Sequence, residues 1–168
     1  MWWQYVVTFM ATLFVALIAV HVAHRLSERD EYRKAKESIK HEITVNISIC
    51  DTNCKQIDTD IDFDKEGRLS GTPYLLFHEL AWNTWKSTVC LRNPKIANEI
   101  EESYFAVQWT NSLLKRIEEL KWGPVATLTG VLSPAEWRIK HFEQAKRYIS
   151  QTLLPRLKEA KELLEKEG

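Results

Sequence analysis

Hydrophobic positions along this chain change their rhythm once, near residue 23. From Tyr5 to Ala23 the sequence YVVTFMATLFVALIAVHVA is apolar on every side and carries no formal charge. At about 1.5 Å per residue, a helix over this stretch spans ~29 Å, the thickness of a bilayer's hydrocarbon core. Thr8 and Thr12 can donate to carbonyls of the preceding turn, which keeps their hydroxyls satisfied in lipid. Trp2, Trp3 and Tyr5 stand at one end, where amphipathic rings favour the headgroup region. A soluble core helix would carry a polar stripe, and this segment has none. Residues 1–23 are therefore expected to form a transmembrane anchor. A cleaved signal peptide is the competing reading, but Met1–Gln4 holds no Lys or Arg, and His21 occupies the −3 position relative to Ala23.

Beyond Ala23 the pattern becomes amphipathic. No Gly or Pro interrupts the chain before Gly67, and Ile39, Ile43, Ile47, Cys50, Cys54 and Ile57 recur in steps of three and four. The first helix is expected to leave the bilayer and run on to about residue 56. Residues 58–72 (DTDIDFDKEGRLSGT) read as an acidic loop. Thr72 and Pro73 then supply an N-cap with proline at the first helical position, opening a helix over about 73–91. Asn93 and Pro94 repeat that signal for a helix over 94–122, which Gly123 and Pro124 end. Ser133-Pro134-Ala135-Glu136 is a capping box, and it starts a helix over 134–166 with Ile139, Phe142, Ala145, Ile149, Leu153, Leu157 and Leu164 as its stripe. Pro155 inside it predicts a kink. Four stripes with short connections favour antiparallel neighbours. The expected class is all-α: a single N-terminal transmembrane helix continuing into an antiparallel four-helix bundle, with the anchor at 1–23 and a soluble domain at 24–168.

Charge changes the picture in one place. The whole chain balances, with 23 basic and 23 acidic residues, so no global field argues for nucleic acid or an acidic substrate. The flanks of the apolar segment are unequal, however. Arg25, Arg29, Arg33, Lys34, Lys36 and Lys40 follow it, and no basic residue precedes it. The positive-inside rule places the N-terminus outside and the domain in the cytoplasm, in a cell membrane crossed once.

Candidate chemistry is sparse. The glycines Gly67, Gly71, Gly123, Gly130 and Gly168 make no G-x-G-x-x-G, P-loop or G-x-S-x-G pattern. Cys50 and Cys54 share one helix face, and with His78 they form a candidate metal or redox site, His41 or Glu79 being further ligands. The looseness of C-x-x-x-C also fits three small apolar residues in a core, Cys90 included. His78-Glu79 begins a zinc-protease motif that Trp82 breaks. Asp62, Asp64, Glu66 and Gly67 resemble the front half of a calcium loop whose twelfth position is Pro73. His21 and His24 sit one turn apart at the membrane exit. Five tryptophans at 82, 85, 109, 122 and 137 suit core packing or an interface. The function expected from this is a membrane-tethered helical interaction or sensory module without catalytic activity, or else a metal- or redox-responsive protein using the cysteine pair. Its expected partners are the lipid bilayer and another protein or a second copy of the chain, with no cofactor and no nucleic acid.

Overall fold

The computed structural model describes residues 2–122 and 133–166, and these are all-helical, with no strand among them. Helix α1 runs without interruption over Trp2–Lys65. Helix α2 is Leu80–Arg92, α3 Pro94–Trp122, α4 Pro134–Tyr148 and α5 Leu154–Lys166, with a π-helical segment Ile149–Leu153 joining the last two.

The two halves of α1 live in different surroundings. No residue of its apolar N-terminal half is buried, and the stretch has a mean hydropathy of 2.4. Contact with the rest of the chain begins at the half-buried Tyr32 and the buried Ala35. From there Ile39, Ile43, Ile57 and Ile61 enter a core shared with Ile100, Val107, Leu114 and Ile117 of α3 and Phe142, Leu157 and Leu164 of α4 and α5. Ile47, which the stripe also includes, is only half-buried.

Polar pairs fix the directions. Lys40 meets Glu165, Asp58 meets Lys146 and Asp64 meets Arg138, so numbers fall along α4–α5 as they rise along α1. Those elements are antiparallel. Glu42 meets Tyr104 and Asp60 meets Lys121, so α3 runs parallel to α1. Lys86 of α2 pairs with Glu101, and Trp82 stacks on Tyr104 with centroids 5.5 Å apart, which turns α2 back against α3.

The helix starts at Pro94 and Pro134 are those the caps predict. Asn93 accepts from the Ile96 N–H at 3.2 Å. Ser133 accepts from the Glu136 N–H at 3.2 Å while the Glu136 carboxylate accepts from the Ser133 N–H at 2.7 Å. Glu136 is held below the usual carboxylate range by the bonds from Ser133. Gly123, Pro124, the residues from there to 132 and Trp122's side chain lie outside the described residues.

Two expectations are corrected. Helix α1 does not end near residue 56; it continues through the acidic run to Lys65. Asp60 and Asp64 are buried there and paired with Lys121 and Arg138, so tertiary contacts neutralise the charges that made the segment read as a loop. The helix stops at Gly67, whose φ is +70°. The Arg68 N–H reaches the Phe63 carbonyl at 2.8 Å and the Gly67 N–H reaches Asp64 at 3.1 Å, the paired bonds of a left-handed C-terminal cap. Nor does Pro73 open a helix. Residues 68–79 are not helical, and α2 begins only at Leu80; from Leu75 to His78 the chain is extended, since three residues match the ~10 Å between Asn53 and Asn46 along α1. The distortion upstream of Pro155 takes the form of the π segment, in which the Leu154 N–H reaches back to the Ile149 carbonyl.

Candidate functional site

The most distinctive arrangement lies between α1 and α3, where two helices grip the non-helical segment 68–79. Asn46, Asn53 and Asp60 are seven residues apart on α1, continuing the row that Ile39 begins, and all three are buried. Tyr104, Asn111 and Glu118 form a row of the same spacing on α3. A heptad repeat keeps side chains on one helix face, so each row looks into the same crevice.

Three asparagines read the extended backbone. Asn53 donates to the Leu75 carbonyl at 2.8 Å and accepts from the Leu75 N–H at 3.0 Å. Asn46 does the same for His78, both bonds at 2.8 Å. From the other wall Asn111 accepts from the Phe77 N–H at 2.8 Å and donates to its carbonyl at 3.0 Å. A carboxamide carries one acceptor and two donors in a plane, so it can satisfy both main-chain groups of one residue. Among the described residues, no backbone–backbone bond reaches residues 69–78.

Charged groups close the two ends. Glu42 is buried and accepts from the Ala81 N–H at 2.7 Å, the Trp82 N–H at 3.3 Å and the Tyr104 hydroxyl at 2.6 Å. The N-cap residue Glu79 makes no cap bond of its own. A carboxylate from α1 therefore caps α2, where backbone donors and the helix dipole favour a negative charge. At the far end Asp60 and Lys121, each 2% exposed, pair at 2.6 Å. Lys121 also donates to the Thr72 carbonyl at 3.0 Å and lies 4.1 Å from the centre of the Tyr74 ring. The Tyr74 hydroxyl donates to Asp60. Burial, and then the carboxylate each one faces, pushes the Tyr74 and Tyr104 phenols well above their ordinary value. Both therefore remain hydrogen-bond donors.

The sequence-predicted metal candidates are not gathered together. Cys50 is buried on α1, and burial, with Cys54 and Asp51 nearby, raises its thiol to about 12. Cys54 is half-buried one turn on, its thiol raised chiefly by burial against the opposing Lys146 charge. His78 is exposed on the extended segment, its backbone held by Asn46. Among the described residues no group of three or more His, Cys, Asp and Glu side chains is placed to hold a metal ion. His41 and His78 do share an open groove of about 350 Å³ with Val45 and Trp85. Glu79 is engaged by Gln108 and Asn111. Cys90 is half-buried on α2.

The half calcium loop dissolves into separate pairs. Asp62 faces Lys65, Asp64 accepts a two-pronged contact from Arg138, and Glu66 faces Arg68. Just past the apolar segment His24 meets Glu28 at 3.2 Å. Trp82 is core, Trp85 lines the groove, Trp137 lies against His141, and Trp109 is 56% exposed beside Phe105 on the outer face of α3. The asparagine row escaped the sequence reading. Its signal was present: asparagines at 46 and 53 stand seven apart within an isoleucine stripe.

Comparison with known proteins gives no correspondence: no family model, no curated protein and no solved structure matches the chain.

Proposed function

We propose that this is a single-pass membrane protein whose domain, an antiparallel four-helix bundle, serves as a non-catalytic interaction or sensory module on the cytoplasmic side. One observation carries the reading. A single helix is both the bare apolar segment at residues 5–23 and the central element of the folded domain. Between Ala23 and Ala35, about 18 Å of helix at ~1.5 Å per residue links the two without a break. Tilt or rotation of the anchor is thereby passed to the domain directly, as a jointed linker would not allow. The antiparallel register of Asp58–Lys146 and Asp64–Arg138 supports the bundle. A non-catalytic role is supported by where the buried polar groups point. Glu42, Asn46, Asn53, Asp60 and Lys121 all spend their hydrogen bonds on the chain itself.

The orientation rests on Arg25, Arg29, Arg33, Lys34, Lys36 and Lys40 following the apolar segment while Met1–Gln4 hold no Lys or Arg. A reporter that is active only outside the cytosol, fused after Gly168, is expected to be silent. The same reporter fused before Met1 is expected to be active. The reverse pair of results would turn the domain outward.

A further inference from the structure

The crevice between α1 and α3 recognises a main chain, not a particular set of side chains. Asn46, Asn53 and Asn111 each engage both the N–H and the carbonyl of one extended residue. Side-chain selection falls on the buried Ser70, whose hydroxyl accepts from Gln56, and chiefly on two aromatic anchors three residues apart, Tyr74 at 8% and Phe77 at 4% exposure. Between and beside them Leu75, Leu76 and His78 face outward. Amide pairs of this kind are indifferent to sequence, and alternating pockets supply the specificity of extended-peptide recognition.

The occupant is held differently from the walls. Among the described residues, 69–78 form no backbone–backbone bond, and their hydrogen bonds come from side chains of α1 and α3 and from Ser70 itself. Leu69, Leu75 and Leu76 remain about half exposed. The segment is bounded by the turn at Gly67 and by the start of α2, whose cap Glu42 belongs to α1. Although Tyr74 and Phe77 reach the core, a segment held by side chains and carrying half-exposed leucines opens more readily than the helices around it.

The geometry points to a peptide-binding groove between α1 and α3 that the chain's own residues 69–78 fill as an autoinhibitory strap. Its partner is an extended segment of another protein carrying an aromatic-x-x-aromatic pair, which displaces the strap by taking over the three amide pairs and the two anchor pockets. This deepens the interaction reading above. Its failure would remove the groove and leave the anchor and its orientation, which the reporter fusions test, untouched.

The test uses the full chain in detergent micelles and a fluorescent peptide with the sequence of residues 69–79 as probe. Tyr74→Ala/Phe77→Ala loosens the resident strap and leaves the groove walls intact. That variant is expected to bind the peptide at least ten-fold more tightly than the unaltered chain and to ignore a scrambled peptide. Adding Asn53→Leu is expected to abolish the gain. A helical Tyr74→Ala/Phe77→Ala protein that does not bind, or binding that Asn53→Leu leaves unchanged, would overturn the proposal. Hydrogen exchange on the unaltered chain decides the matter if the variant does not fold. The amides of Leu75, Phe77 and His78 are expected to exchange at least ten-fold faster than those of Val107 and Leu114. Exchange of both sets at one common rate would show a strap released only by global unfolding, and would sink the idea.

Discussion

Asn53 stands where the α1 stripe would otherwise place an aliphatic residue, and its burial is tolerated because Leu75 answers both ends of its amide. A buried polar group left without partners costs about 1–3 kcal/mol. Asn53→Leu strands the main-chain groups of Leu75, which are partly open to water, and is expected to lower stability by about 1–3 kcal/mol in a denaturant titration. Lys121 is a sharper case. Lys121→Met leaves the Asp60 carboxylate buried and unpaired, and is expected to cost about 3–5 kcal/mol; Asp60→Asn in the same chain should restore part of it. Cys50 gives the pH dependence. Its thiol stays protonated in the fold up to about 12, against an ordinary value of 9.0. Above pH 9 the unfolded chain loses that proton and the folded chain keeps it. Stability is therefore unaffected by this group below pH 9 and falls as pH rises from there, by up to about 1.4 kcal/mol per unit. Tyr74 and Tyr104 add to the loss in the same direction from their ordinary value of 10.0. Thermal melts at pH 8 and pH 10.5 check it: a melting point that held or rose at the higher pH would contradict the burial of all three groups.

At the scale of elements, what the sequence disclosed depended on whether the deciding contacts were local. The starts of α3 and α4 were legible because Asn93 and Ser133 cap helices within their own next turn. The start of α2 was not, since its cap is Glu42, nearly forty residues away. Thr72-Pro73 carries a good local signal that loses to Asn46, Asn53 and Asn111, which claim the backbone of Leu75, Phe77 and His78 in an extended form. The end of α1 was hidden likewise: an acidic run looks solvated until Lys121 and Arg138 arrive from other helices. The same applies to the candidate site. Cys50, Cys54 and His78 stood out as residue types with chemistry, while the asparagines that organise the crevice looked like interruptions of a stripe. Loss of the trans cap is measurable. Glu42→Ala removes acceptors for two N–H groups and for the Tyr104 hydroxyl, and is expected to cost about 2–4 kcal/mol, more than the ~1 kcal/mol of an exposed cap. A chemical-denaturation midpoint that did not move would show that α2 is capped some other way.

The whole molecule joins a helix suited to lipid to a domain with its own core. Buried side chains from α1, α3, α4 and α5 meet around Ile39, Ile43, Tyr104, Phe142 and Leu157, none of them in the apolar segment at residues 5–23. Residues 24–168 on their own are accordingly expected to be soluble and strongly helical by circular dichroism, with Ile43→Ala lowering stability by about 2–4 kcal/mol as a fully buried aliphatic is removed. The central claim is that the unburied apolar half of α1 lies in a bilayer. Alkaline carbonate extraction of membranes from cells producing the full chain tests it most directly, because it releases peripheral proteins and retains spanning ones. The full chain is expected to stay in the membrane pellet; recovery of intact protein in the carbonate supernatant would contradict the account.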